Sequence, residues 1–245
     1  MQQKTVLLTF YDLGYGGIQT KLISVANALA TGGVNTILIL ERHVSGERTE
    51  LLHKNVKVIY SPQFLPKIFK KRYYISLLFY SMFFQAHSLV VSLEDTSVFV
   101  LNWNKFIPFW KTKVVINYDL LPSAQQKMPA HKLGSILNRA DSIVAVSKEV
   151  QKELVQKIGV SSKKIEYIPN WFDEILDKKN MKLLRIENRF LFAGRFSSQK
   201  QPIEALRVFS IIKNNLNSAQ LHFYGTGELL SSLQKFGEKE GAAVK

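Results

Sequence analysis

The residues best placed to do chemistry are two cations near the C-terminus, Arg195 and Lys200, in the run FLFAGRFSSQKQPIEALRVFSIIK from Phe190 to Lys213. The apolar stretch Phe190 to Ala193 is broken by Gly194, the two cations bracket a Ser-Ser-Gln turn, and Pro202 stands where a helix would begin. Ile203, Leu206, Phe209 and Ile212 then recur at helical spacing. A strand, a turn and a helix in that order put both positive side chains at a helix N-terminus, whose unpaired N–H groups already favour an anion. Such a mouth suits a phosphate or diphosphate. The alternative is a surface turn whose Arg and Lys are simply solvated.

Other candidates are scattered along the chain. Gly16 and Gly17 follow a strand and open a helix, where glycine lets the chain turn tightly and lets a ligand approach backbone N–H groups. Gln19 occupies the third glycine position of a GxGxxG fingerprint begun at Gly14, which argues against a nicotinamide or flavin enzyme. Asn117, Tyr118 and Asp119 end an apolar strand, where ligands collect in open parallel sheets, although Asp119 also reads as a turn cap. Gly225 and Gly227 end another strand, and their loop either turns the chain or faces a ligand. Glu94 and Asp95 would point in opposite directions on a strand, so they read as a loop or helix cap and not as a paired acid and base. His43, His53, His87, His131 and His222 show no ligand spacing and the chain has no cysteine. Ser147 and Ser197 lack a nucleophile-elbow pattern, so neither metal nor serine-hydrolase chemistry is expected.

Taken together, these segments resemble one family. AGRFSSQKQP is similar to the GRL-S-x-x-K-x-P turn of the retaining, metal-independent glycosyltransferases of group 1, or family 4. Gly14–Leu40 resembles that family's first Gly-Gly loop and helix, Arg139–Asp173 the end of its first domain, and Leu221–Leu233 the second strand-loop-helix of its donor domain, in the family's order. The resemblance implies the GT-B architecture and transfer of a sugar from a nucleotide diphosphate sugar to a glycan or lipid-linked saccharide, as in cell-surface polysaccharide synthesis. It implies that Arg195 and Lys200 hold the donor diphosphate as a metal does in other transferases, with no cofactor and no metal required. Gly16, Gly17, Tyr118, Asp119, Gly225 and Gly227 fall where the family contacts donor or acceptor. Two departures stand out. Tyr118 replaces a His that touches the transferred sugar in many relatives. The Glu pair, eight positions apart, that grips the donor in the family's later part has only a coincidental counterpart here, Glu166 and Glu174, which precede the second domain.

The elements that must position these residues alternate almost throughout. Apolar runs at Thr5–Phe10, Asn35–Leu40, Lys57–Pro62, Ser88–Leu93, Lys113–Tyr118, Ala140–Ser147 and Lys163–Pro169 read as buried strands separated by amphipathic helices. Such alternation gives an α/β fold with a parallel sheet. The expected division is a Rossmann-like domain over 1–172, a polar connection over 173–188, and an incomplete second Rossmann-like domain over 189–245 with two strands and an unfinished helix. On that reading the chain is a truncated product or half of a split enzyme whose partner chain completes the second domain. A catalytically incomplete binding subunit is the alternative.

The net charge of +14 also permits a polyanion binder, although no nucleic-acid motif accompanies it. The opening MQQKTVLLTF leads to the expectation of no secretory signal, and the absence of cysteine agrees with a cytoplasmic enzyme. The run PKIFKKRYYISLLFYSMFF is too short in its uncharged part to span a bilayer. Lys67, Lys70, Lys71 and Arg72 are expected to meet an anionic inner membrane face, and Tyr74–Phe84 to form a buried helix.

Overall fold

The computed structural model describes residues 4–62, 72–92, 94–107, 110–125, 127–170, 187–240 and 243–244. Lys67, Lys70 and Lys71 lie outside them, as do residues 173–186 of the expected connection. The chain divides into two compact units between Ile175 and Leu176.

The first unit runs β1 (Thr5–Phe10), α1 (Gly17–Thr31), β2 (Asn35–Leu40), β3 (Val56–Tyr60), α2 (Arg72–Phe83), β4 (Ser88–Val91), α3 (Glu94–Trp103), β5 (Lys113–Tyr118), α4 (Pro122–Gln125), α5 (Ala130–Leu137), β6 (Ser142–Ala145), α6 (Lys148–Gln156) and β7 (Ile165–Tyr167). Its seven strands form one parallel sheet in the order β3-β2-β1-β4-β5-β6-β7. The order reverses between β1 and β4, the kind of switch point at which such sheets bind ligands.

The pleat sorts the core into two layers. Leu7, Ile37, Ile39, Leu89, Val91 and Ile116 pack with residues of α2, α3, α5 and α6. Their chain neighbours Leu8, Phe10, Leu38 and Leu40 pack under Leu22, Ile23 and Ala26 of α1. Register preserves this, since Leu7 pairs with Ile37 and Leu8 with Leu38. The helix after β6 begins at a cap, as its sequence predicts: Ser147 Oγ accepts from Val150 N at 3.2 Å.

Two expectations change here. Glu94 and Asp95 form the first turn of α3. The segment expected as a buried helix is buried on one stripe only: Tyr73, Ser76, Leu77 and Leu78 face the core, while Ile75, Phe79, Met82 and Phe83 are exposed. An almost uniformly apolar run carries no period from which a sequence reading could tell its inner stripe from its outer one.

The second unit contains β8 (Arg189–Ala193), α7 (Pro202–Asn215), β9 (Gln220–Tyr224), α8 (Leu230–Glu240) and β10 (Ala243–Val244), with a parallel sheet ordered β10-β9-β8. A short third strand thus follows the second helix, which the sequence reading did not anticipate. Phe196, Leu206, Phe209, Leu221, Phe223 and Leu233 form its core. Leu191 and Tyr224, on the opposite face of the sheet, are exposed.

Candidate functional site

In the first unit the candidate residues gather at the carboxyl ends of β1, β4 and β5. Lys21, on the first turns of α1, is buried and reaches β5: its Nζ donates to Asn117 Oδ1 at 2.8 Å and to Asp119 Oδ1 at 2.9 Å. Asn117 Nδ2 donates to the other Asp119 oxygen at 2.5 Å. The Lys21 and Asp119 side chains are 8% and 5% exposed, so the pair is a charged link inside the protein. Asp119 therefore anchors α1 and does more than cap a turn. Lys21 was not legible as a site residue, although one signal existed: it lies on the same helical stripe as Ile18, Leu22 and Val25, and a cation on an apolar stripe needs an acid. Next to this network, α1 and the sheet enclose a cavity of about 310 Å³ with mainly apolar walls, including Val25, Val90 and Val144.

Tyr118 points the other way. Its side chain belongs to the α3 layer, is 2% exposed, and donates its hydroxyl to Glu94 Oε2 at 3.2 Å. Burial first, and then the Glu94 charge, push its phenol well above the usual range. A tyrosine so enclosed presents no surface to a sugar, and the contact expected from its position is not available to it. Glu94 also accepts from Lys127 N at 3.4 Å. Burial raises its carboxyl above the ordinary carboxylate range, against the opposing hydrogen bonds from Lys127 and Tyr118. Adjacent residues on a helix diverge by about 100°, so Asp95 meets a different group of the same residue, Lys127 Nζ at 2.5 Å.

The loop from Tyr11 to Gly17 is held from outside. Asp12 Oδ1 accepts from Gly14 N at 3.2 Å, and Arg42 Nη2 donates to Asp12 Oδ2 at 3.0 Å. Arg48 donates to Gly14 O at 2.9 Å and to Thr20 Oγ1 at 3.0 Å, with its guanidinium 5.3 Å from the centre of the Tyr15 ring. A Cβ on Gly17 would meet nothing within 4 Å, and one on Gly16 only the flexible end of Gln19. The fold itself thus does not require glycine at 17, and no side chain caps the start of α1.

In the second unit Arg195 and Lys200 are both exposed on the loop between β8 and α7. Phe196 and Ser197, between them, are buried and anchor it. Ser197 O accepts from Lys200 N at 3.0 Å and Gln201 N at 3.1 Å, which closes the turn. Pro202 starts α7, and no side chain caps the helix.

Gly225 and Gly227 have a packing role. A Cβ at Gly225 would lie 1.9 Å from Gly194 O, and one at Gly227 2.4 Å from Phe196 O. The loops after β8 and β9 touch backbone to backbone, laced by Gly194 N to Tyr224 O at 3.0 Å, Phe196 N to Thr226 O at 2.8 Å and Leu229 N to Phe196 O at 3.0 Å. Among the described residues no group of three or more His, Asp or Glu could hold a metal ion.

Residues 15–174, well over half of the chain, match the family model described as Glycosyltransferase Family 4. The chain belongs to glycosyltransferase family 4. Its fold is that of GT-B glycosyltransferases. Anabaena HepE, solved with UDP and glucose, aligns with a TM-score of 0.69 at 14% identity, over 98% of this chain and 68% of that one. A TarM variant from S. aureus, solved with UDP and glycan ligands, aligns with a TM-score of 0.72 at 8% identity, over 99% and 77%. The lipopolysaccharide outer core galactosyltransferase WaaB aligns with a TM-score of 0.63 at 13% identity, over 99% and 67%. No curated protein sequence matches significantly. For a family 4 enzyme the informative residues on the page are Arg195 and Lys200, together with Lys21 and Arg48, which the sequence did not single out, and Glu94, which read there as a loop or helix cap.

Proposed function

We propose that this family 4 enzyme transfers a sugar from a nucleoside diphosphate sugar to a glycan or lipid-linked saccharide in cell-surface polysaccharide synthesis. The observation that carries the reading is the loop after β8: it bears two exposed cations and leads into a helix that no side chain caps. As the sugar leaves, negative charge grows on the departing diphosphate. Fixed cations and helix N–H groups at that position lower the barrier without a metal ion. The HepE structures with UDP and with UDP-glucose, and the TarM structure with UDP, support a uridine nucleotide as the first donor to try. Gly17, whose α-carbon has open space around it at the start of α1, fits close approach of a donor or acceptor to the backbone.

Among the described residues no helix is long and apolar enough to cross a membrane. The basic run Lys67, Lys70, Lys71 and Arg72 supports a peripheral position on the cytoplasmic face, where a lipid-linked acceptor would be met.

The test is calorimetric titration of UDP into the wild type and into Arg195→Ala with Lys200→Ala. Each charge-assisted hydrogen bond contributes about 1.5–3 kcal/mol, so the double variant should bind UDP at least about 100-fold more weakly. Equal affinity would remove the reading.

A further inference from the structure

We propose that Arg48 is a positioning residue for the glycine loop after β1: its guanidinium turns backbone N–H groups of that loop toward a bound nucleoside diphosphate. The proposal rests on the reading of this loop as a place where the donor approaches the backbone, and it names what holds the loop in shape. Gly14, Gly16 and Gly17 contribute no side chain, and none caps the start of α1. A chain so rich in glycine loses much conformational freedom when ordered, so its shape must be imposed by something else. Residues 44–48 supply it. Val44 lies 3.6 Å from where a Cβ on Gly14 would be, and the Tyr15 ring lies 3.6 Å from where one on Gly46 would be. Arg48 N donates to the carbonyl of the fully buried Leu13 at 3.2 Å. The guanidinium then makes two separate bonds, Nη2 to Gly14 O at 2.9 Å and Nη1 to Thr20 Oγ1 at 3.0 Å. Thr20 Oγ1 in turn donates to Gly16 O at 2.9 Å. One planar fork therefore fixes two carbonyls of the loop, that of Gly14 directly and that of Gly16 through Thr20.

In a trans peptide the carbonyl and the following N–H point in opposite directions. Fixing Gly16 O along the helix therefore aims Gly17 N–H out of the N-terminus of α1, where a Cβ on Gly17 would meet nothing within 4 Å. Fixing Gly14 O sets the direction of the next N–H, that of Tyr15, in the same way. N–H groups directed outward at a helix start suit phosphate oxygens. The segment that carries Arg48 is itself anchored. The Glu47 side chain is 3% exposed, and it accepts from Tyr60 Oη at 2.6 Å and from Val44 N at 3.1 Å, which ties residues 44–47 to β3. Arg48 Nε is buried and has no hydrogen-bond partner among the described residues. A buried donor left unmade costs stability, and exceptions of this sort gather at functional sites. Lysine would keep the charge, but its single nitrogen lacks the fork that spans Gly14 O and Thr20 Oγ1.

The test is calorimetric titration of UDP into the full chain and its variants, each first shown to be folded by its urea midpoint. Arg48→Ala should weaken binding at least about tenfold, the worth of one charge-assisted hydrogen bond. Arg48→Lys should lose nearly as much, because the charge remains and the fork does not. Thr20→Val should also weaken binding, and Thr20→Ser, which keeps the hydroxyl, should recover most of that loss. Both residues act through one relay, so Arg48→Ala with Thr20→Val should lose less than the product of the two single fold-changes. The proposal alone is overturned, with the donor reading intact, if UDP binds the wild type and Arg48→Ala equally. It is also overturned if Arg48→Lys binds as the wild type does, which would make Arg48 a point charge, or if the two single losses multiply. Failure of UDP to bind the wild type would remove the donor reading and this proposal with it.

Discussion

Breaking the Lys21–Asp119 link is the sharpest test of the first unit. At 2.9 Å the attraction is about 6 kcal/mol for an effective permittivity of about 20, but much of that offsets the cost of taking both charges out of water. Removing one partner alone is costlier than removing both, because it strands the other charge: about 3–5 kcal/mol for a buried pair. In Lys21→Met, Asp119 retains the hydrogen bond from Asn117 Nδ2 at 2.5 Å, which points to the lower end, about 3 kcal/mol. All three tryptophans, Trp103, Trp110 and Trp171, precede the division at Ile175. Urea unfolding followed by tryptophan fluorescence therefore reports the first unit. With a denaturant slope of about 2–3 kcal/mol per molar, the Lys21→Met midpoint should fall by about 1–1.5 M. Lys21→Met with Asp119→Asn, neutral at both positions, should recover more than half of that loss. A single variant that loses less than about 1 kcal/mol, or a double variant whose loss equals the sum of the two singles, would refute the claim that this pair ties α1 to β5.

The remaining predictions concern Glu94 and the glycines of the second unit. Because burial holds the Glu94 carboxyl above the ordinary range, the native state keeps its proton at pH values where the unfolded chain has lost it. Its contribution to stability is then full below the ordinary carboxylate value and is lost as pH rises through the raised one. Glu94→Gln, which cannot ionise, should gain stability relative to wild type on going from acid to neutral buffer, and urea midpoints in the two buffers check the sign. Gly225→Ala forces a Cβ onto Gly194 O and should destabilise the second unit by about 2–3 kcal/mol. Faster hydrogen exchange at the Phe196 amide, which donates to Thr226 O, would report it, and UDP affinity should fall with it.

The strands of the first unit were legible because fully buried parallel strands are short, continuous apolar runs between turn residues, and each expected run overlaps a strand. What resisted reading was direction. Asn117 and Tyr118 are neighbours, yet the pleat sends one to Lys21 and the other into the opposite layer; composition does not say which parity faces the ligand edge. Lys21 was missed because its partner lies 98 residues away, beyond any local pattern. The loop of Gly225 and Gly227 read equally as a plain turn or as facing a ligand; what was not legible is that both glycines serve a close contact between two loops separated in sequence by a whole helix. The place of Arg195 and Lys200 between a strand and a helix was readable because turn, proline and helix period are all local.

Arg48 carries a lesson for engineering. The glycine loop that follows β1 does not own its shape: a guanidinium 34 residues downstream fastens the Gly14 carbonyl. Transplanting that loop with its helix into another scaffold would therefore deliver the glycines without their conformation, unless the distant arginine travelled with them.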